Sequence, residues 1–384
     1  MNRLLLRYLL ISLTIILCSS CKRETNDQSL VHEKADNVIK YASGFIITEE
    51  NKIKILNIRN TFPGSKESYR YALINREDAA SITLNKEEFE GVILTPVESV
   101  VMTSTTHIPS LELLNVSDRL IGFPGLDYIS TPSVRTAIKQ GKVRELGSNE
   151  GLNTEVLLEL SPEVVIGFSV NGSNKTYDLI KRSGIPVLLN GDWVESSPLA
   201  KAEWIKFFGL LFEKEKQADS VFNKIENQYL NAKELALKAK NRPTIMSGAV
   251  YRDVWYLPNG TSPEAQFLAD ANTDYLWSNR EGKGSLELSF ESVFSKAQDA
   301  DIWISPSSYK TRQQMLNANP HYGEFKAFQS GDVYSFSNST GESGGILYYE
   351  LGTSRPDLVL MDIIKICHPG LLPDYQSTFF KRLQ

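Results

Sequence analysis

An α/β fold of two Rossmann-like lobes, each with a mostly parallel sheet, joined by one long α-helix and leaving a ligand cleft between them, is predicted by three observations. Short β-branched runs alternate with helical segments between residues 97 and 189. A proline-free amphipathic stretch follows, and the alternation then resumes from residue 244 to 366. Strand–helix alternation at this pace builds parallel sheets with helices on their faces. Two such series separated by one helix read as two lobes on a spine, and the space between lobes is where ligands usually bind.

The elements can be justified in chain order. Residues 1–7 carry Arg3 and Arg7, residues 8–17 are apolar apart from Ser12 and Thr14, and Cys18-Ser19-Ser20-Cys21 follows. A positive start, a short apolar core and small residues describe a signal peptide over 1–20, too short for a comfortable membrane span. The Ser19-Ser20 pair before Cys21 resembles a bacterial lipobox, which implies lipidation of Cys21. The polar residues 21–37 then form a tether, and the chain is expected to be exported and lipid-anchored in the bacterial cell envelope, on its periplasmic side. Residues 38–96 form a β-rich extension of short alternating runs at 45–47, 52–56, 69–74 and 91–94 between Asn, Gly and Pro breaks.

The first lobe spans 97–197. Its strands are read at 97–102, 119–123, 164–168 and 186–189, its helices at 106–114, 132–139, 153–160 and 176–182, with Pro132 suited to a first helical position. The linker spans 198–241. Within it Ala218, Val221, Phe222, Ile225, Tyr229 and Ala232 recur at three- and four-residue steps, one apolar stripe on a helix of roughly 25 residues. The second lobe spans 242–384, with strands at 244–247, 254–257, 302–305 and 333–336 and helices at 263–271, 289–297, 322–328 and 355–366.

Composition excludes several functions. The 384 residues hold 41 Lys+Arg against 46 Asp+Glu, a net charge of −5, so no basic field exists to neutralise nucleic-acid phosphates. Three cysteines, Cys18, Cys21 and Cys367, make no disulfide scaffold, and Cys367 reads as a buried thiol. The histidines His32, His107, His321 and His368 are scattered without paired ligand spacing, so no resident metal and no cofactor is expected. His368 at a helix end reads as a C-terminal cap. Gly341-Glu342-Ser343-Gly344-Gly345 resembles the GDSGG loop of trypsin-like proteases, yet that family's histidine segment is absent and the chain alternates α and β. A serine nucleophile needs a base and an orienting carboxylate, so this is a glycine-rich turn and the chain is read as no enzyme.

Six segments in order carry a resemblance: "DRLIGFPGLDY" at 118–128, "LGSNEGLNTEVLLELSPEVVIG" at 146–167, "SGIPVLL" at 183–189, "WYLPNGTSPEAQFLADANTDYLW" at 255–277, "GSLELSFESVFSKAQDADIWI" at 284–304 and "LYYELGTSRPDLVLMDIIKICHPGLLP" at 347–373. From 97 to 372 the chain resembles the helical-backbone substrate-binding proteins of ABC importers, the class that captures iron–siderophore complexes, haem and cobalamin. The last segment is similar to the tail of the branch found in Bacteroides-like bacteria, and the 38–96 extension has the look of that branch's own addition. The resemblance implies a monomeric receptor that captures an iron–siderophore or corrinoid complex and delivers it to ABC permease subunits in the inner membrane. It also implies one docking glutamate per lobe, Glu155 and Glu291. A metal chelatase on the same fold, or a surface lipoprotein that scavenges a ligand without a permease, are the alternatives.

For such a receptor the cleft candidates are loop residues at the C-terminal ends of strands. On the first lobe they are Thr105, His107, Tyr128, Asn149 and Trp193; on the second, Tyr251, Arg252, Trp255, Trp277, Tyr309 and Tyr348. Aromatic faces offer large contact area at little entropic cost, Arg252 could pair with a ligand anion, and the His107 imidazole could reach a metal.

Overall fold

The computed structural model describes residues 39–149, 151–172 and 174–384. The signal peptide, Cys21 and the tether lie outside the described residues. The extension forms a four-stranded sheet, β1 (Phe45–Glu50), β2 (Ile53–Arg59), β3 (Ser68–Asn75) and β4 (Gly91–Thr95), in that order. Its first hairpin turns at Asn51 and Lys52, both at positive φ, which matches the twist of the flanking strands. Leu56, Ile58, Tyr71, Leu73 and Ile93 point inward and share one core with the first lobe and the linker helices. Just upstream, two buried carboxylates grip the backbone. Glu203 accepts from the N–H groups of Lys40, Tyr41 and Ala42, and Glu195 from those of Ser43 and Gly44.

The first-lobe sheet is fully parallel, in the order β7-β6-β5-β8-β9, from β5 (Val100–Met102), β6 (Leu120–Phe123), β7 (Arg144–Glu145), β8 (Val164–Gly167) and β9 (Val187–Leu189). The runs VVM, VVIG and VLL of the neighbouring strands β5, β8 and β9 are buried throughout, as strands covered on both faces must be. Its helices are α1 (Ile108–Leu113), α2 (Pro132–Lys139), α3 (Thr154–Leu160) and α4 (Lys175–Arg182). Asn153 and Asn174 cap the last two through their side chains.

The predicted long helix is the 22-residue α7 (Glu215–Ala236), and two short helices precede it in the linker, α5 (Pro198–Ala202) and α6 (Ile205–Leu211). The chain breaks at Glu213, which takes a left-handed φ of 54°. Gly209 does not break the helix; it lets α6 and α7 meet, because a Cβ there would lie 2.6 Å from the Ala218 Cβ. The stripe on α7 serves two cores. Ala218, Phe222 and Ile225 belong to the first-lobe core, whereas Tyr229, Ala232 and Ala236 belong to the second-lobe core. Gly→Ala inside a helix ordinarily stabilises by up to ~1 kcal/mol. Gly209→Ala is expected to do the reverse and cost about 1–3 kcal/mol through overpacking, read as a lowered urea midpoint; a raised midpoint would contradict this packing.

The second lobe follows. A hairpin sheet, β11 (Ala249–Tyr251), β12 (Val254–Pro258) and β14 (Ser285–Leu288), stands beside a five-stranded sheet. That sheet has the order β13-β10-β15-β16-β17, from β10 (Thr244–Ser247), β13 (Asp274–Tyr275), β15 (Ile302–Ile304), β16 (Val333–Ser335) and β17 (Lys381–Arg382); only β17 is antiparallel. The helices are α8 (Pro263–Asp270), α9 (Phe290–Ala297), α10 (Arg312–Ala318), α11 (Lys326–Ser330), α12 (Leu347–Leu351) and α13 (Pro356–Cys367). Cys367 is half-buried as a residue, and desolvation pushes its thiol pKa up. His368 closes α13 and bonds the Ala271 carbonyl at 2.9 Å.

Candidate functional site

The carboxyl ends of parallel strands leave loops at one edge, and here four of them meet the second lobe. A cleft of about 370 Å3 is walled by Thr103–Thr105 after β5, Phe123 and Pro124 after β6, Tyr128, Asn149 after β7, and Phe168 after β8. The second lobe closes it with Gly344, Gly345, Ile346 and Tyr349. Among the described residues no Asp, Glu, Lys, Arg or His lines it. Tyr128 is 69% exposed and Tyr349 56%, a large apolar offering for two side chains. A larger concavity of about 720 Å3 on the outer face of α7 is an open groove of Lys, Asp, Asn, Gln and Ser side chains.

The loop bearing Tyr128 is held by Glu145, which accepts from the N–H groups of Gly125 and Leu126 at 2.7 and 2.9 Å and of Gly147 at 2.9 Å. Burial opposes ionisation of Glu145, but these donors prevail and lower its pKa. The Gly341–Gly345 turn packs against the first lobe. A Cβ on Gly345 would lie 2.2 Å from the Tyr128 carbonyl oxygen, and one on Gly341 2.4 Å from Ser130 Oγ. Ser343 donates to the Ile129 carbonyl at 3.2 Å, so its hydroxyl serves the interlobe contact. Glu350 on α12 crosses to the first lobe and accepts from the N–H groups of Ser130 and Thr131 and the Thr131 hydroxyl. Burial raises its pKa, and these bonds offset part of the rise. At the rim Glu342 pairs with Lys139 at 2.8 Å and Arg135 at 3.3 Å.

The structure brings Thr105, Tyr128 and Asn149 together at the cleft. Trp193 is 37% exposed on the adjacent loop after β9 but does not line the cleft. The other cleft candidates do not line it, and several are buried. His107 is wholly buried behind Thr105, with its ring 5.8 Å from that of Phe208 and neither nitrogen hydrogen-bonded. Trp255 and Trp277 are buried in the second-lobe core; the Trp255 indole stacks on Trp303 at 5.5 Å and donates to the Ser247 carbonyl. Tyr309 packs edge-on to Tyr322, and Tyr348 stacks on Phe336 at 4.4 Å, leaving its neighbour Tyr349 to face the cleft. Tyr251 and Arg252 sit exposed at the β11–β12 turn, with Arg252 over the Tyr251 ring. Phe123, Phe168, Ile346 and Tyr349 were missed, although Phe123 and Phe168 stand at the ends of strands that the sequence shows. Glu155 and Glu291 are exposed at equivalent places, each the second residue of a helix capped by Asn153 or Ser289. Among the described residues no cluster of three or more His, Cys, Asp or Glu could hold a metal ion.

Two α/β lobes sharing one helical spine, with an aromatic cleft where they touch, define a binding protein of the helical-backbone kind. The chain belongs to the periplasmic binding protein family, whose model matches residues 100–340. An uncharacterized lipoprotein of Methanocaldococcus jannaschii is 26% identical over 378 residues, covering 93% of this chain and 88% of its own. A periplasmic heme binding protein from Pseudomonas aeruginosa superposes with a TM-score of 0.58 at 15% identity, over 75% of this chain and 98% of its own. A possible iron-binding, periplasmic solute-binding protein from Staphylococcus epidermidis gives 0.57 at 16%, over 71% and 100%.

Proposed function

We infer that the protein is the extracytoplasmic receptor of an ABC importer, anchored through lipid on Cys21, and that it captures an iron–siderophore or corrinoid complex for the permease. The observation that carries this reading is the cleft: enclosed by two lobes, free of charged side chains among the described residues and flanked by exposed Tyr128 and Tyr349. Such a surface suits a chelate whose metal charge is already neutralised by its own ligands. Thr105 and Asn149 supply hydrogen bonds at the rim. The lipoprotein name of the archaeal relative and the heme- and iron-binding names of the structural neighbours support the anchor and the ligand class.

Glu155 and Glu291 dock the permease. Both carboxylates sit in the first turn of a capped helix, and Glu291 has a lowered pKa from a backbone N–H and Ser289. Tryptophan fluorescence of the full chain in detergent, titrated with ferrichrome, haemin and cyanocobalamin, is expected to quench saturably with at least one. Tyr349→Ala should weaken that probe about tenfold, equivalent to ~1.4 kcal/mol. Glu155→Ala with Glu291→Ala should leave binding intact and abolish uptake by cells. No saturable quenching by any of the three would sink the ligand class; retained uptake would sink the docking pair.

A further inference from the structure

The β-sheet at 45–95 stands outside the span the family model matches, and the solved neighbours are covered over 98% and 100% of their own length without accounting for a quarter of this chain. Its place in the fold is next to the cleft. Tyr71 donates to the Val187 carbonyl at 2.7 Å, and Gly91 lies against Pro186, so the sheet is fastened beside β9, the edge strand next to β8. The loop after β2 then reaches over the carboxyl ends of both strands. Phe62 lies on Gly172, where a Cβ would come within 2.7 Å of its ring, and Gly172 ends the loop that begins with cleft-lining Phe168. Asn60 and Thr61 lie on Gly191, at 3.2 and 3.5 Å from its Cβ position, one residue before Asp192 and Trp193.

Phe62 thus covers the loop that cleft-lining Phe168 begins, and Asn60 and Thr61 cover the loop that bears Trp193. On these two loops large apolar side chains are left to solvent, Val170 at 64% and Trp193 at 37% exposure, while the other four tryptophans are at most 2% exposed. Packing has no use for them there, and exposed apolar side chains beside a binding cleft are a usual mark of ligand contact.

We propose that the N-terminal sheet enlarges the ligand site: Phe62, Val170 and Trp193 form an outer apolar shelf that takes the uncharged periphery of the chelate held in the cleft. This rests on the cleft being the ligand site. It assigns the extension a part in specificity, because a chelate confined to the 370 Å3 cleft would not reach the shelf.

The test is calorimetric titration of the full chain in detergent with ferrichrome, haemin and cyanocobalamin, comparing the native protein with Phe62→Ala, Trp193→Ala and Tyr349→Ala. For a probe that binds, Phe62→Ala and Trp193→Ala are each expected to weaken it about five- to tenfold, the scale of a lost aromatic contact. The bimolecular constant for acrylamide quenching, taken from fluorescence lifetimes, should fall severalfold on saturation, since Trp193 is the accessible indole. Trp193→Ala keeps the test decisive should Phe62→Ala disturb the loop. If Tyr349→Ala weakens binding while Trp193→Ala and acrylamide access are unchanged, the shelf is wrong and the cleft stands. If no probe binds the native chain, the cleft reading fails and the shelf falls with it.

Discussion

His107→Leu is expected to make folding less sensitive to acid by roughly 3 kcal/mol between pH 7 and pH 4. Burial holds the imidazole pKa near 3, far below its ordinary 6.5, and neither ring nitrogen has a hydrogen-bond partner among the described residues. The folded state therefore resists the proton that the unfolded chain accepts. The stability His107 contributes is complete above pH 6.5 and is lost progressively as the pH falls toward 3. Leucine fills similar space without titrating. Asp192 acts with the opposite sign: its pKa is raised to about 6 by desolvation, so its contribution is complete below 3.8 and is lost as the pH rises through 6. Urea unfolding of native and variant at pH 7, 5.5 and 4 isolates the histidine term. Parallel pH profiles would show that water reaches the imidazole in the folded protein.

Glu350→Ala is expected to destabilise the protein by about 3 kcal/mol and to loosen one lobe from the other. The substitution strands the N–H groups of Ser130 and Thr131 and the Thr131 hydroxyl at a buried contact. Glu350→Gln keeps one acceptor oxygen and should lose about half as much. Because α7 feeds both cores and Glu350 bridges the lobes, the native protein should compact little on binding. Small-angle scattering checks both statements. The radius of gyration should change by little in the native chain and by more in Glu350→Ala; a strong compaction of the native chain would contradict the bridge.

Much of the frame was legible because it depends on local periodicity. Helix 132–139 and strand 244–247 fall where Pro132 and the run TIMS place them, and the α7 stripe is a 3.6-residue pattern that burial preserves. The hairpin partner β14 and helix α10 were not read, since SLEL and RQQMLNA carry few apolar residues. The linker's division was hidden as well. Nothing in Phe212–Lys214 announces a break that Glu213 makes in a left-handed conformation, while the conspicuous Gly209 turned out to serve a close helix contact.

The cleft divides the same way. Tyr128 and Asn149 were legible as loop residues after strands, but Trp255 and Trp277 looked identical in kind and are core. An aromatic beside a polar residue has the same local signature whether its ring faces solvent or a neighbouring sheet. Of Tyr348 and Tyr349, adjacent on one helix, only the meeting of the lobes decides which ring stacks on Phe336 and which faces the cleft.

The sequence by itself determined the two α/β series, the spine between them and the family to which they belong, because periodic burial and strand-end loops are written in short stretches of chain. Only the tertiary structure decided which aromatics line the cleft, that the glycine-rich turn and Glu350 join the lobes, and that the N-terminal sheet fastens beside β9. Those features are contacts between residues some two hundred positions apart, or more than a hundred for the sheet, and no local pattern encodes which distant surface a side chain will face.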